Sequence, residues 1–259
     1  MNRGIFRQML NVLAVIATIA VNGLANALPL NGLNTGEISD RFQVFFVPAG
    51  YVFSIWGLIY LGLIAFAVYQ ALPAQRANPR LMRIDIPFVL SCLANIVWLF
   101  LWHYLQFPLT LLVMLFLLGS LITIYLRLDI GRVRVSPGER WCVHLPFSVY
   151  LGWVTVATIA NATDVLDYLG WGGWGIPPQV WAVVMLVVAT GLTLWMSLTR
   201  RDTAFLLVIV WAFIGIAIKQ AGAPLVANAA WALSGALVIW LVVGAILFRK
   251  GKGTPAPAI

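Results

Sequence analysis

Between residues 127 and 140 the chain reads Arg127-Leu128-Asp129-Ile130-Gly131-Arg132-Val133-Arg134-Val135-Ser136-Pro137-Gly138-Glu139-Arg140, a short basic loop with a Pro-Gly turn. Apolar runs of roughly 107–127 and 141–161 flank it. Each is about the 17–25 residues that a helix needs to cross a hydrocarbon core of about 30 Å. A short arginine-rich loop between two such runs marks a cytoplasmic turn between membrane spans.

Outward from that loop the same pattern repeats. Apolar stretches fall at roughly 5–28, 50–72, 84–104, 107–127, 141–161, 179–199, 203–220 and 224–248. With the N-terminus inside and the spans alternating, 14 of the 16 Lys and Arg residues lie on the cytoplasmic side. They are Arg3 and Arg7; Arg76, Arg80 and Arg83; Arg127, Arg132, Arg134 and Arg140; Arg200 and Arg201; and Arg249, Lys250 and Lys252. Only Arg41 and Lys219 fall outside. The expected fold is therefore all-α and integral to the membrane: an eight-helix transmembrane bundle with the N-terminus and C-terminus cytoplasmic. Adding or removing one helix breaks the alternation.

Composition agrees. Charged residues are 9% of the chain, against roughly 25% in soluble domains. The net charge of +8 is this topological bias, with some attraction to anionic inner-leaflet lipid. Its dispersal over short loops and tails argues against nucleic acid as a partner. Cys92 and Cys142 both fall within spans as lone thiols, and no metal-ligand spacing surrounds them. Ala25-Asn26-Ala27 after an apolar run resembles a signal cleavage site. The run is long, however, and contains Asn11 and Asn22, so an uncleaved first helix is expected.

Two connections are long. Residues 28–49 combine Glu37, Asp40 and Arg41 with Phe42, Val44, Phe45 and Phe46, a mixture expected to lie partly along the membrane face. Residues 162–178 carry Asp164, Asp167 and the run Gly170-Trp171-Gly172-Gly173-Trp174-Gly175. Those tryptophans fit the headgroup belt of a bilayer or a lid over a ligand. The connection from His103 to Pro108 is a tight hairpin.

No nucleophile, base and orienting group come together in the sequence. Charged residues sit at or near span ends, Asp85 and Lys219 included, and His103 and His144 lack acidic or thiol partners at ligand spacing. Catalytic and metal sites are therefore expected to be absent, and no cofactor is expected to be required. What remains is aromatic and amide side chains at helical spacing. Phe53, Trp56 and Tyr60 share one helix face; Asn95, Trp98 and Trp102 share another; Tyr150, Trp153, Ala157 and Asn161 share a third. Such stripes serve either helix packing with interhelical hydrogen bonds or an apolar pocket with a few polar anchors.

At these residues the chain resembles the TspO/MBR family, the tryptophan-rich sensory proteins. The resemblance covers about residues 10–163. It rests on Pro48-Ala49-Gly50-Tyr51-Val52-Phe53 with Trp56 and Ile59-Tyr60, on Asn95 to Trp98, and on Trp153-Val154-Thr155-Val156-Ala157-Thr158-Ile159-Ala160-Asn161-Ala162. Departures are Ala49 and Tyr51 in place of the family's Pro and Trp, a Phe53-to-Trp56 spacing shorter by one, and Val149 where a Pro is expected.

The resemblance implies a TspO-like five-helix ligand-binding bundle over residues 1–163. Beyond it are expected an outside loop rich in Trp and Gly over 164–178, a three-helix membrane extension over 179–248 and a disordered basic tail over 249–259. It also implies that Tyr51, Phe53, Trp56, Tyr60, Asn95, Trp98, Trp153, Ala157 and Asn161 bind a hydrophobic planar ligand, with Trp102 and Tyr150 on the same faces. The ligand class is a tetrapyrrole, such as a porphyrin or haem-like molecule, or a sterol-like molecule, and the role is that of sensor or carrier. A facilitative transporter using all eight helices, or a membrane enzyme acting on a tetrapyrrole, are the alternatives. The resemblance further implies a homodimer, for which Gly57 with Gly62 or Ala65 offers a close-contact face. Membrane lipid is a further partner, and the charge bias points to a bacterial inner membrane.

Overall fold

The computed structural model describes residues 3–28 and 30–250; of the expected tail, residues 251–259 lie outside the described residues. The described chain is helical, with no strand among the described residues. Its long helices are α1 (Arg3–Ala27), α2 (Ile55–Ala71), α3 (Asp85–His103), α4 (Phe107–Arg127), α5 (Leu145–Tyr168), α6 (Pro178–Arg200), α7 (Thr203–Lys219) and α8 (Pro224–Lys250). Seven are long and apolar enough to cross a membrane, while α7 is shorter at 17 residues. Large apolar side chains such as Leu13, Ile16, Leu61, Leu112 and Ile239 face outward, as a lipid-facing belt requires.

The first five helices form a closed ring in which α1 touches α2 and α3, α4 packs between α3 and α5, and α5 returns to α2. α5 is the most enclosed. A π-helical turn, Arg140–His144, leads into it, and Pro146 then lies against Gly62 of α2, where a Cβ would come within 3.0 Å. Gly62 thus serves a contact within the chain. The α3–α4 hairpin is tight, as expected, with Leu105 in the left-handed region (φ 58°) and Gln106 N donating back to Leu101 O at 2.8 Å.

α6, α7 and α8 pack on one another, and α7 lies against α5. Small residues permit the approach. Gly152 of α5 meets Val208, and α7 buries Phe205, Ile209, Ala212, Phe213 and Ile216 on several sides at once. Asp202 caps α7 by accepting from Phe205 N at 3.1 Å. The same carboxylate accepts from Tyr125 Oη of α4 at 2.8 Å and Ser148 Oγ of α5 at 2.7 Å. One buried side chain therefore joins the extension to the ring.

One expectation is revised. α5 runs to Tyr168, about two turns past residue 161, because its apolar face continues: Val165 is buried with Ile38, Trp102 and Phe107. The α1–α2 connection folds inward. A short helix, Thr35–Ser39, closed by an Asn34/Glu37 capping box, turns it back over the ring. Phe42 then packs edge-on against Phe107, and Phe46 and Val47 are buried.

Candidate functional site

Under this folded-back connection lie two adjoining cavities of about 420 and about 50 Å³, which share Thr35, Phe53, Trp56 and Trp98. The larger is in the range of roughly 300–1,000 Å³ usual for small-molecule sites. Tyr60, Asn22 and Leu99 also line it; Trp102, Trp153, Ala157 and Asn161 line the smaller.

The walls are aromatic rings set by one another. Trp56 stacks on Tyr60 at 5.7 Å and meets Tyr150 and Trp153 edge-on at 6.0 and 6.4 Å. Phe53, carried on the 3-10 turn Gly50–Ser54, meets Trp153 edge-on at 5.8 Å. Trp98 and Trp102, one turn apart on α3, stack at 5.3 Å. These are the preferred offset and edge-to-face arrangements of aromatic pairs, so the rings hold a fixed, flat-walled space.

Hydrogen bonds fix the helices behind the rings. Asn22 Nδ2 of α1 donates to Asn95 Oδ1 of α3 at 2.7 Å, and Asn95 Nδ2 donates to Tyr150 Oη of α5 at 3.3 Å. Trp98 Nε1 donates to Asn161 Oδ1 at 3.1 Å, and Asn161 Nδ2 donates to Thr110 Oγ1 of α4 at 2.9 Å. Trp102 Nε1 reaches Thr35 O of the covering helix at 3.2 Å. Amides buried among membrane helices need such partners, because no water stands in for them.

α7 holds the cover from the far side. Trp211 Nε1 donates to Val52 O at 3.1 Å, and Ala49 N donates to Gly215 O at 3.1 Å. Gln220 Nε2 donates to Val44 O at 3.3 Å, and Lys219 Nζ pairs with Asp40 at 2.7 Å.

Of the residues singled out from sequence, Phe53, Trp56, Tyr60, Trp98, Trp102, Trp153, Ala157 and Asn161 line the cavities. Asn95 and Tyr150 stand behind the rings. Tyr51 stands apart: its half-exposed ring lies edge-on to Trp211 at 5.3 Å.

A family model described as TSPO-like protein matches residues 8–243. The chain belongs to the TSPO-like protein family. It is an integral, multi-pass membrane protein. The match extends into α8, so it takes in the three helices that the sequence resemblance left unaccounted for. No curated protein and no solved structure matches the chain.

Three residues that line the cavities are not singled out by the sequence: Asn22, Thr35 and Asp164. In the sequence Asn22 stands out only as a polar residue of the first span. Yet Gln8, Asn11, Thr18 and Asn22 recur on one face of α1 and are all buried, and polar residues of a membrane helix face the bundle. Thr35 enters through the covering helix, which no periodicity reveals. The sequence puts Asp164 in a loop, whereas it lies three residues after Asn161 on the inner face of α5 and is 3% exposed.

Proposed function

We propose that this TSPO-like protein binds a flat hydrophobic ligand, a tetrapyrrole or sterol-like molecule, in the paired cavities beneath the α1–α2 connection, and acts as a sensor or carrier of it. The observation that carries the reading is the convergence of Phe53, Trp56, Trp98 and Trp153 from three segments on one space. Each such ring offers about 150–250 Å² of apolar surface. In this reading eight helices cross a bacterial inner membrane with both described ends cytoplasmic. Arg7 supports that orientation: it pairs with Asp85 at 3.2 Å and donates to Arg76 O at 3.0 Å, gathering basic segments at one end. A homodimer would use Gly57, where a Cβ meets open space.

Tryptophan quenching tests the site. Protoporphyrin IX dimethyl ester, flat and uncharged, is expected to quench saturably in detergent, with weaker binding in Trp153→Ala and Asn95→Ala. Absence of saturable quenching, or quenching unchanged in both variants, rejects the assignment.

A further inference from the structure

Among the described residues, every charged side chain that lines the two cavities is acidic: Glu37 and Asp40 at the larger, Asp164 at the smaller. Glu37 accepts from Asn34 N at 2.9 Å within its capping box, and Asp40 is paired with Lys219. Both stand at the outer rim. Asp164 differs. It is 3% exposed, and its Oδ1 has no hydrogen-bond partner among the described residues. Asp167, the next acidic residue on the helix, lines a different cavity beneath the Trp171–Trp181 loop.

A carboxylate buried without a donor is a costly arrangement. A ligand that brings the donor removes the penalty. Trp98 and Trp102 line the same cavity as Asp164, and indole faces attract cations as well as flat apolar surfaces. Trp153 Nε1, likewise buried and unpaired among the described residues, lies eleven residues earlier on the same face of α5, about 16 Å away along the helix. Asp164 and Trp153 thus both line the smaller cavity, and each has a buried polar atom without a partner among the described residues.

We propose that Asp164 is the polar anchor of the cavity and that it selects flat apolar ligands carrying a protonated amine. The ammonium donates to Asp164 while the ring system lies among Trp56, Trp98 and Trp153. This goes beyond the tetrapyrrole or sterol-like class of the ligand-binding reading and rests on the same cavities. At the rim Glu37 adds a second negative charge, whereas Asp40 is offset by its pair with Lys219. Between flat ligands of equal apolar area, the amine is favoured over the carboxylate.

Three probes share one flat ring system and differ in charge: pyrenemethylamine, pyrenemethanol and pyreneacetate. Tryptophan-to-pyrene energy transfer reports binding to the full chain, corrected for partition into protein-free micelles. The amine is expected to bind about tenfold more tightly than the alcohol, the value of one charge-assisted hydrogen bond, with the acetate weakest. In Asp164→Asn, of nearly equal size, the amine-to-alcohol ratio is expected to fall to within about twofold while the alcohol still binds. Equal affinities of amine and alcohol for the natural protein, or a ratio unchanged in Asp164→Asn, overturn the anchor. The natural protein's ranking does not depend on the variant's folding. Binding of the alcohol or the porphyrin ester without charge selection rejects Asp164 and leaves the cavity standing. Failure of all probes and of the ester rejects both.

Discussion

Gly215 of α7 packs directly on Val52, with no room between them for a methyl group. Two hydrogen bonds flank this contact, Trp211 Nε1 to Val52 O and Ala49 N to Gly215 O, both at 3.1 Å. The segment they hold carries Phe53, so α7 sets the position of a cavity wall it does not itself line. Gly215→Ala is expected to lower stability by about 1–3 kcal/mol through overpacking, and Gly215→Leu by more. Both are expected to weaken binding of the flat neutral probe. Thermal unfolding in detergent beside probe titration checks this; a variant that loses stability with unchanged affinity separates α7 from the cavity.

Asn161 joins α3 to α4 by accepting from Trp98 and donating to Thr110. A double-mutant cycle between Trp98→Phe and Asn161→Ala is expected to give a coupling of about 0.6 kcal/mol, the average for hydrogen bonds between membrane helices, and no more than about 1.7 kcal/mol. Strict additivity would mean that the 3.1 Å contact contributes nothing to stability.

Asp202 receives three donors from three segments, Tyr125, Ser148 and its own helix start. Asp202→Ala leaves three buried donors without an acceptor and removes a helix cap. Loss of about 3 kcal/mol or more is expected. Asp202→Asn, which keeps an acceptor oxygen for Phe205 N, is expected to lose less. Unfolding in mixed micelles followed by circular dichroism gives both values, and equal losses would show that charge rather than geometry dominates.

How far these relationships can be read before folding depends on their range. Trp98 and Trp102, or Trp153, Ala157 and Asn161, reach one face because helical spacing alone puts them there. The basic loops announce the membrane ends because charge is sorted by the bilayer rather than by packing. The cover over the cavity was not legible. Its position depends on Phe42 meeting Phe107 and on Trp211 meeting Val52, pairs far apart in sequence. Asp164 was hidden for a related reason: a carboxylate near a span end reads as solvated, and the folded-back segment around Ile38 meets α5 at Val165, beside it.

The two native cysteines test the orientation. Cys142 is partly exposed in the π-helical turn that precedes α5, at the end where the arginines gather, whereas Cys92 is buried within α3. Trp174, 80% exposed, marks the opposite end of α5. A membrane-impermeant maleimide is expected to leave the natural protein unlabelled in intact cells and to label Cys142 in inverted vesicles. Trp174→Cys in a Cys142→Ser background is expected to reverse that pattern, labelling in cells and not in inverted vesicles. Labelling of Cys142 from outside would turn the bundle over, placing the cavity and its acidic rim on the cytoplasmic face.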